Sequence, residues 1–295
     1  MGARDQLTPR PAASAVRTRE RREYEFLEND FERVRRLIYR HAGISLSDQK
    51  QNMVYSRLAR RLRTHGMGSF GQYLDRLEGD AQFGAAEYQE FVNALTTNLT
   101  SFFREPHHFP ILAQHLRGLP STRAPRIWCA AASTGEEAFS IAMTMIEATG
   151  RHSAGRVLAT DIDTEVLQIA QQATYRLEAV QACGRERMRQ FFLRGLGANA
   201  GLVRVRPDVV KRIDFEALNL RLEHWPRVRE FAPQLDAVFC RNVLIYFDRE
   251  TQRQIVGRIV QLLRPGGLLF VGHSENFTDC GASLTLLGKT VYRRK

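Results

Sequence analysis

An open α/β sheet preceded by a small all-helical domain is the architecture this sequence predicts. Apolar residues between about 24 and 95 recur at helical spacing, with no strand-like alternation. From 126 onward short apolar runs alternate with helical segments, the signature of a mostly parallel sheet. The chain closes on two apolar runs around Gly288, which read as an antiparallel hairpin added to that sheet. A length of 295 residues suits about two domains, and hydrophobic residues at 43% suffice for ordinary cores.

Residues 1–22 are rich in Arg, Ala, Thr and Pro without apolar periodicity, and read as a disordered basic tail. Residues 23–95 form the helical domain. Phe31, Val34, Leu37 and Ile38 make one apolar stripe, ended by Gly43. Ser47 is the expected cap of a second helix that Gly66 ends. Ser69 caps a third with Phe70, Tyr73, Leu74 and Leu77 on one face, and Tyr88, Phe91, Val92 and Leu95 mark a fourth. Residues 96–106 are a polar linker holding two phenylalanines.

The sheet domain, 107–295, reads as strand 126–131, helix 136–149, strand 157–162, helix 164–175, strand 235–241, helix 249–263 and strand 267–272. Strands 284–287 and 290–293 then form the terminal hairpin. Three further short strands, 189–194, 202–206 and 212–216, interrupt the alternation. They predict a small antiparallel β subdomain inserted at about 187–216. In the middle one, Val203 and Val205 face one way and Arg204 and Arg206 the other. Its edge either docks an extended peptide or is covered; the pattern leaves both open.

Composition excludes several classes. No run of about 18 apolar residues exists, so no membrane span is expected, and the N-terminus lacks a signal-peptide apolar region. The four cysteines are far apart with no CxxC pair, which argues against zinc or a disulfide framework and for a reducing, cytoplasmic setting. A net charge of +11 points to an acidic partner (nucleic acid, anionic lipid or protein) or to a solvated basic surface.

The segment RIWCAAASTGEE, Arg126 to Glu137, runs strand, tight turn, helix, and the next strand ends on Asp161. This is a nucleotide-site pattern. Its charge is wrong for pyrophosphate, because Glu136 and Glu137 occupy the helix turn that binds phosphate in dinucleotide sites. A nucleoside whose other end is cationic fits better, and S-adenosylmethionine is such a molecule. One of the two glutamates is expected to meet the methionine ammonium; both also suit a helix N-terminus. Asp161 can accept from both ribose hydroxyls, with Asp163 or Thr164 capping the following helix. Asn219 can read an adenine edge or simply shape a turn.

Arg241, Asn242 and Tyr246 stand where a strand ends, at the edge of the sheet where ligands bind. The segment CRNVLIYF lacks the D/N-P-P-Y/F of base amino methylases, and no Pro-Cys nucleophile is present. In the second helix, Lys50, Arg57, Arg60 and Arg61 make a basic stripe, with Arg63 further round: a solvated face, or a surface for an acidic helix or phosphate backbone.

Five blocks together identify a resemblance. LTTNLTSFFRE (Leu95–Glu105), AAASTGEE (Ala130–Glu137), ATDIDTEVL (Ala159–Leu167), FCRNVLIYF (Phe239–Phe247) and GHSENF (Gly272–Phe277) are similar to those of CheR-type chemotaxis receptor glutamate methyltransferases. The resemblance runs from about Tyr24 to Arg293. It implies a class I methyltransferase (Rossmann-like) sheet and an EC 2.1.1 activity: methyl transfer from S-adenosylmethionine to glutamate side chains of membrane chemoreceptors. The products are glutamyl methyl esters and S-adenosylhomocysteine. It further implies that Asn98, Thr100, Arg104, Glu137, Asp161, Asn219, Leu220, Arg241 and Asn242 hold the cofactor, and that Arg104 and Tyr246 border the transferred methyl.

The same resemblance implies that Arg57, Arg60, Arg61 and Arg63 meet the acidic methylation helices of the receptor's cytoplasmic domain. The β insertion is similar to one that captures a receptor's C-terminal pentapeptide. A monomer without metal, nucleic acid or membrane insertion is expected, recruited from the cytoplasm to receptor arrays. Alternatives are a nucleic-acid methyltransferase, suggested by the charge, and an inactive relative that only tethers to receptors.

Overall fold

The computed structural model describes residues 22–275, 277 and 283–295. The expected basic tail lies outside the described residues except for Arg22, which donates to Asn52 Oδ1 at 2.7 Å.

The helical domain has four helices. α1 (Glu28–Ala42) starts with Glu28 and Asp30 and ends near Arg40 and His41, matching the helix dipole, and Gly43 closes it in the left-handed region at φ 73°. α2 (Gln51–Thr64) is preceded by a 3-10 turn, Asp48–Lys50. Ser47 makes no side-chain cap, contrary to expectation. The tighter turn uses its carbonyl instead, which accepts from Lys50 N at 2.9 Å. Ser69 does cap α3 (Phe70–Gly79), accepting from Gln72 N at 3.2 Å. Asp80 caps α4 (Ala81–Leu95). Val34, Ile38, Val54, Leu58, Phe70 and Phe91 fill the core between them.

The second domain opens with α5 (His108–Arg117), where the sequence reading placed no element. Then follow β1 (Arg126–Ala130), α6 (Glu136–Thr149), β2 (Arg156–Asp161) and α7 (Thr164–Gln172), then β3 (Thr174–Arg176), α8 (Gly184–Phe191), β4 (Phe192–Arg194) and β5 (Leu202–Val205). After α9 (Pro207–Val210) come β6 (Ile213–Ala217), α10 (Pro226–Phe231), β7 (Leu235–Phe239), α11 (Arg249–Leu262), β8 (Leu263–Phe270), β9 (Leu284–Gly288) and β10 (Val291–Arg294). The main sheet has the order β6-β2-β1-β7-β8-β10-β9. β10 runs antiparallel to both β8 and β9, as the terminal hairpin requires. Phe139, Phe239 and Phe270 pack one face, and Trp128, Trp225, Ile255 and Val256 the other. The strand order reverses between β1 and β7, so a crevice forms at their carboxyl ends.

The small sheet has the order β3-β5-β4, which corrects the sequence reading in three ways. Segment 212–216 is not part of it: β6 pairs in parallel with β2, Ile213 opposite Val157 and Phe215 opposite Ala159. Its third strand is β3, read from sequence as the end of a helix. Ala173 takes the left-handed region at φ 52°, ends α7 and turns Tyr175 to lie opposite Val203. Residues 189–191 belong to α8. Periodicity missed these because three-residue strands are too short to show alternation.

Candidate active site

The turn after β1 is built from unusual backbone. Ala131 (φ 91°), Ser133 (φ 49°) and Gly135 (φ 97°) all have positive φ. Only glycine suits position 135, since a Cβ there would lie 2.8 Å from Ala170 Cβ and 3.0 Å from the Tyr175 hydroxyl. That hydroxyl donates to Thr134 O at 2.7 Å, tying the small sheet to the turn. Asp161 holds the turn from β2: Oδ2 accepts from Ser133 N at 2.8 Å and Oδ1 from Asp163 N at 3.0 Å.

A second wall comes from the linker. Asp163 caps α7 through Oδ1, while its Oδ2 accepts from Thr96 Oγ1 at 2.6 Å and Asn98 Nδ2 at 2.7 Å. Asn98 in turn accepts from Ser133 Oγ at its carbonyl. One buried carboxylate therefore pins the linker to the sheet. The sequence offered it only as a cap.

The third wall is charged. Arg241, after β7, donates to Glu137 Oε2 at 2.7 Å and to the Arg104 carbonyl at 2.7 Å, and approaches Glu105 Oε2 at 3.4 Å. All three groups are largely buried. Burial pushes the Glu137 carboxyl up, and Arg241 opposes that. Burial would also raise Glu105, but Arg241 and the donors of His273 outweigh it and leave its carboxyl below the usual range. Glu136 stays in the turn, accepting from Thr134 Oγ1 at 2.6 Å. The pair of glutamates thus divides, with Glu137 facing the crevice.

These walls enclose a cavity of about 340 Å³, the scale of a small-molecule site. Asn98, Thr100, Arg104, Glu137, Asp161, Asn219, Leu220, Arg241, Asn242 and Tyr246 all line it. The helical domain closes its mouth with Ser45, Lys50 and Met53. Asn219 is less free than the sequence suggested. Its amide donates to His41 O at 2.7 Å and accepts from Arg221 N at 2.9 Å, which leaves one N–H and one oxygen lone pair for a base edge.

Comparison with known proteins is decisive at this point. The family model described as "CheR methyltransferase, SAM binding domain" matches residues 98–292, and "CheR methyltransferase, all-alpha domain" matches 29–96. The chain belongs to the CheR methyltransferase family. A "Chemotaxis protein methyltransferase" of Klebsiella aerogenes is 51% identical over 263 residues, 89% of this chain and 88% of that one. The Escherichia coli K12 protein of the same name is 50% identical over 264 residues, 89% of each chain. A Pseudomonas aeruginosa "Chemotaxis protein methyltransferase 2" is 48% identical over 272 residues, 92% of this chain and 94% of that one. This CheR chain is accordingly a methyltransferase of the EC 2.1.1 class with an S-adenosylmethionine-binding domain, and its relatives act in chemotaxis.

The donor set of the CheR pocket fits that cofactor. Asp161 sits among backbone donors with no ion-pair partner among the described residues, and burial pushes its carboxyl up to about 6. Ribose hydroxyls would supply the missing donors. Asp161→Ala is expected to weaken S-adenosylmethionine binding by roughly 1.5–3 kcal/mol, the scale of charged hydrogen bonds, and calorimetry reads it directly. The pH dependence follows in sign. An ionised carboxylate that accepted from the ribose would hold affinity above about pH 6 and lose it as pH falls through that value. The cofactor-free protein behaves oppositely: a carboxyl raised on folding gains stability as pH falls from about 6 toward its ordinary value. A pH-independent affinity between 5 and 8 would contradict this assignment.

The sequence showed no metal-ligand cluster, yet Glu105, His107 and His108 converge beside the pocket. Glu105 Oε2 and His108 Nδ1 are buried without hydrogen-bond partners and lie 3.9 Å apart. The Arg241 guanidinium already supplies that carboxylate with a positive charge and would repel a cation.

The basic stripe on α2 is less uniform than its sequence. Arg61 forms a bidentate pair with the buried Glu87, at 2.8 and 2.6 Å, and Tyr73 and His65 share that carboxylate. Arg57 donates to the carbonyls of Ala94 and Thr96 at the end of α4. Both side chains anchor α2 to α4. Arg60 is exposed with no ion-pair partner among the described residues. Arg63 makes only an exposed pair with Glu23 at 3.6 Å.

Proposed function

We propose that this chain transfers the methyl group of S-adenosylmethionine to glutamate side chains in the cytoplasmic domain of membrane chemoreceptors, forming glutamyl methyl esters in chemotactic adaptation. One observation carries the reading. Arg104 and Tyr246 line the cofactor cavity together, and the carboxylates that share its lining are already engaged, Glu137 by Arg241 and Asp161 by the backbone N–H groups of Ser133 and Asp163. A glutamate is already ionised at neutral pH, with a reference pKa near 4.3, and requires no base.

When bound, S-adenosylmethionine supplies an activated methyl on a sulfonium. The protein's work is then placement, and in-line alignment can contribute up to about 7–11 kcal/mol. Arg104 orients the acceptor carboxylate by charge-assisted hydrogen bonds. Tyr246 walls the methyl path and polarises it through its hydroxyl, and its carbonyl is fixed from the helical domain by Ser45 N at 2.8 Å. Glu137 takes the ammonium of the methionine moiety and Asp161 the ribose. Asn98, Thr100, Asn219, Leu220 and Asn242 complete the binding wall.

The acceptor's acidic helix is proposed to meet α2. Since Arg57 and Arg61 are tied to α4, the cations left for the acceptor are Arg60 and Arg63, the latter held only by its exposed pair with Glu23 among the described residues. Replacing Arg60 and Arg63 with Ala is expected to raise receptor KM several-fold at low ionic strength, with the difference shrinking as salt rises. Unchanged kinetics would make this a solvated face. Adding Arg61→Ala would also unpair the buried Glu87, so that variant confounds binding with stability. The small sheet leaves β3 and β4 as edge strands, and either suits addition of a receptor-tail strand. The enzyme is proposed to act as a cytoplasmic monomer recruited to receptor arrays. Among the described residues no helix is long and apolar enough to cross a membrane.

The deciding experiment uses labelled S-adenosylmethionine with receptor-containing membranes. Label on the receptor that is released by mild base is expected. Base-stable label, or label on nucleic acid, would overturn the acceptor assignment.

A further inference from the structure

Within the GHSENF block His273 serves Glu105, but the glutamate has no role in the site described so far, although it is among the most completely satisfied side chains near it. Glu275 is 4% exposed and has no ion-pair partner among the described residues. Instead its carboxylate collects four backbone N–H groups. Oε2 accepts from Asn242 N at 2.9 Å and Gly272 N at 2.6 Å, and Oε1 from Val243 N at 3.0 Å and Leu244 N at 2.8 Å. Three consecutive N–H groups converging on one point form an anion-binding nest. Here the anion is built into the chain.

The nest occurs where the backbone needs help. Asn242 holds φ 57°, a left-handed conformation that costs a non-glycine residue energy unless its surroundings impose it. That residue starts the bend carrying Asn242 and Tyr246 into the cavity, and Leu244–Tyr246 form its 3-10 turn. The opposite strand fits closely: a Cβ on Gly272 would lie 2.5 Å from Asn242 Nδ2 and 2.9 Å from Glu275 Oε2. Arg241, one residue earlier, is held separately by Glu137 and the Arg104 carbonyl. Disturbing Glu275 should therefore move Tyr246 more than the cofactor's charged wall.

We propose that Glu275 is a positioning residue for methyl transfer, a fixed internal anion that locks the 242–246 bend and so sets where Tyr246 stands. This rests on Tyr246 bordering the methyl path.

The test is Glu275→Gln. The amide keeps one acceptor oxygen but turns an NH2 toward two N–H groups, so the clamp fails with little change in volume. A fall in kcat of tenfold or more is expected, with S-adenosylmethionine Kd changed by less than about threefold and a melting temperature within a few degrees of the parent. In a Tyr246→Phe background the same substitution should cost much less, because the two act through one position. If Tyr246→Phe alone leaves kcat unchanged, the reading of Tyr246 fails, whatever Glu275 does. Unchanged kcat in Glu275→Gln, or a loss fully additive with Tyr246→Phe, would overturn the proposal. Gly272→Ala disturbs the same cradle from the segment after β8 and should also lower kcat, but its Cβ meets Asn242 Nδ2 as well, so here cofactor affinity is expected to fall with it. Failure of both variants to fold would also overturn it, since the carboxylate would then hold the domain rather than the bend.

Discussion

Arg104→Ala is expected to lower turnover by 10²–10³-fold while leaving S-adenosylmethionine affinity within a few-fold. Charge is lost rather than developed on the attacking carboxylate, so the expected cost is one of placement, where a misplacement of about 1 Å costs on the order of 10²-fold. The backbone and the side chain of this residue face different partners. Its carbonyl is part of the cofactor wall, accepting from Arg241 at 2.7 Å, and survives the substitution. Among the described residues its guanidinium donates to the Leu99 carbonyl alone, at 2.8 Å, in a linker segment whose leucine is 79% exposed. That contact is one an arriving carboxylate can replace. Stopped single-turnover assays with saturating cofactor would read the chemical step, and calorimetry the affinity. Equal losses in both would mean that the side chain serves cofactor binding rather than the acceptor.

Arg241→Met is expected to destabilise the cofactor-free protein by about 3–5 kcal/mol, the cost of leaving a buried charge without its partner. Glu137 and Glu105 both depend on this guanidinium, at 2.7 and 3.4 Å. The apolar side chain of Met keeps much of the volume, so the loss reports charge rather than a cavity. Adding Glu137→Gln should recover a measurable part, because a neutral amide tolerates burial better. The deficit should also shrink in acid: without Arg241, Glu137 is raised further by burial, and protonation as pH falls removes the unpaired charge. Urea titrations at several pH values would show this. A pH-independent deficit, or none, would mean that water rather than Arg241 solvates the two carboxylates.

Much of the scaffold was legible in the chain. Helix 136–149 was read to the residue, because Gly135 and the Glu136–Glu137 turn mark its start and an apolar run its length. Asp161 was legible because a polar residue ending an apolar strand has few other uses. The small sheet was misread because parallel pairing of β6 with β2 is a long-range fact that Arg212–Glu216 does not carry. The α2 arginines looked equivalent along the sequence. They differ because Glu87 and the carbonyls of Thr96 and Ala94 come from α4.

The sequence by itself determined the alternation of strand and helix, the turn that admits a nucleoside, and the acids that suit a cationic cofactor. These are local: each depends on periodicity, a cap or a glycine within a few residues. Only the tertiary structure decided which charges are free. Arg241 proved to be the counter-ion of Glu137 and Glu105, Asp163 the pin of the linker, Arg61 the partner of the buried Glu87, and Glu275 the anion of a backbone nest. Burial and pairing depend on what the fold brings within about 3 Å, and no spacing along the chain encodes that distance.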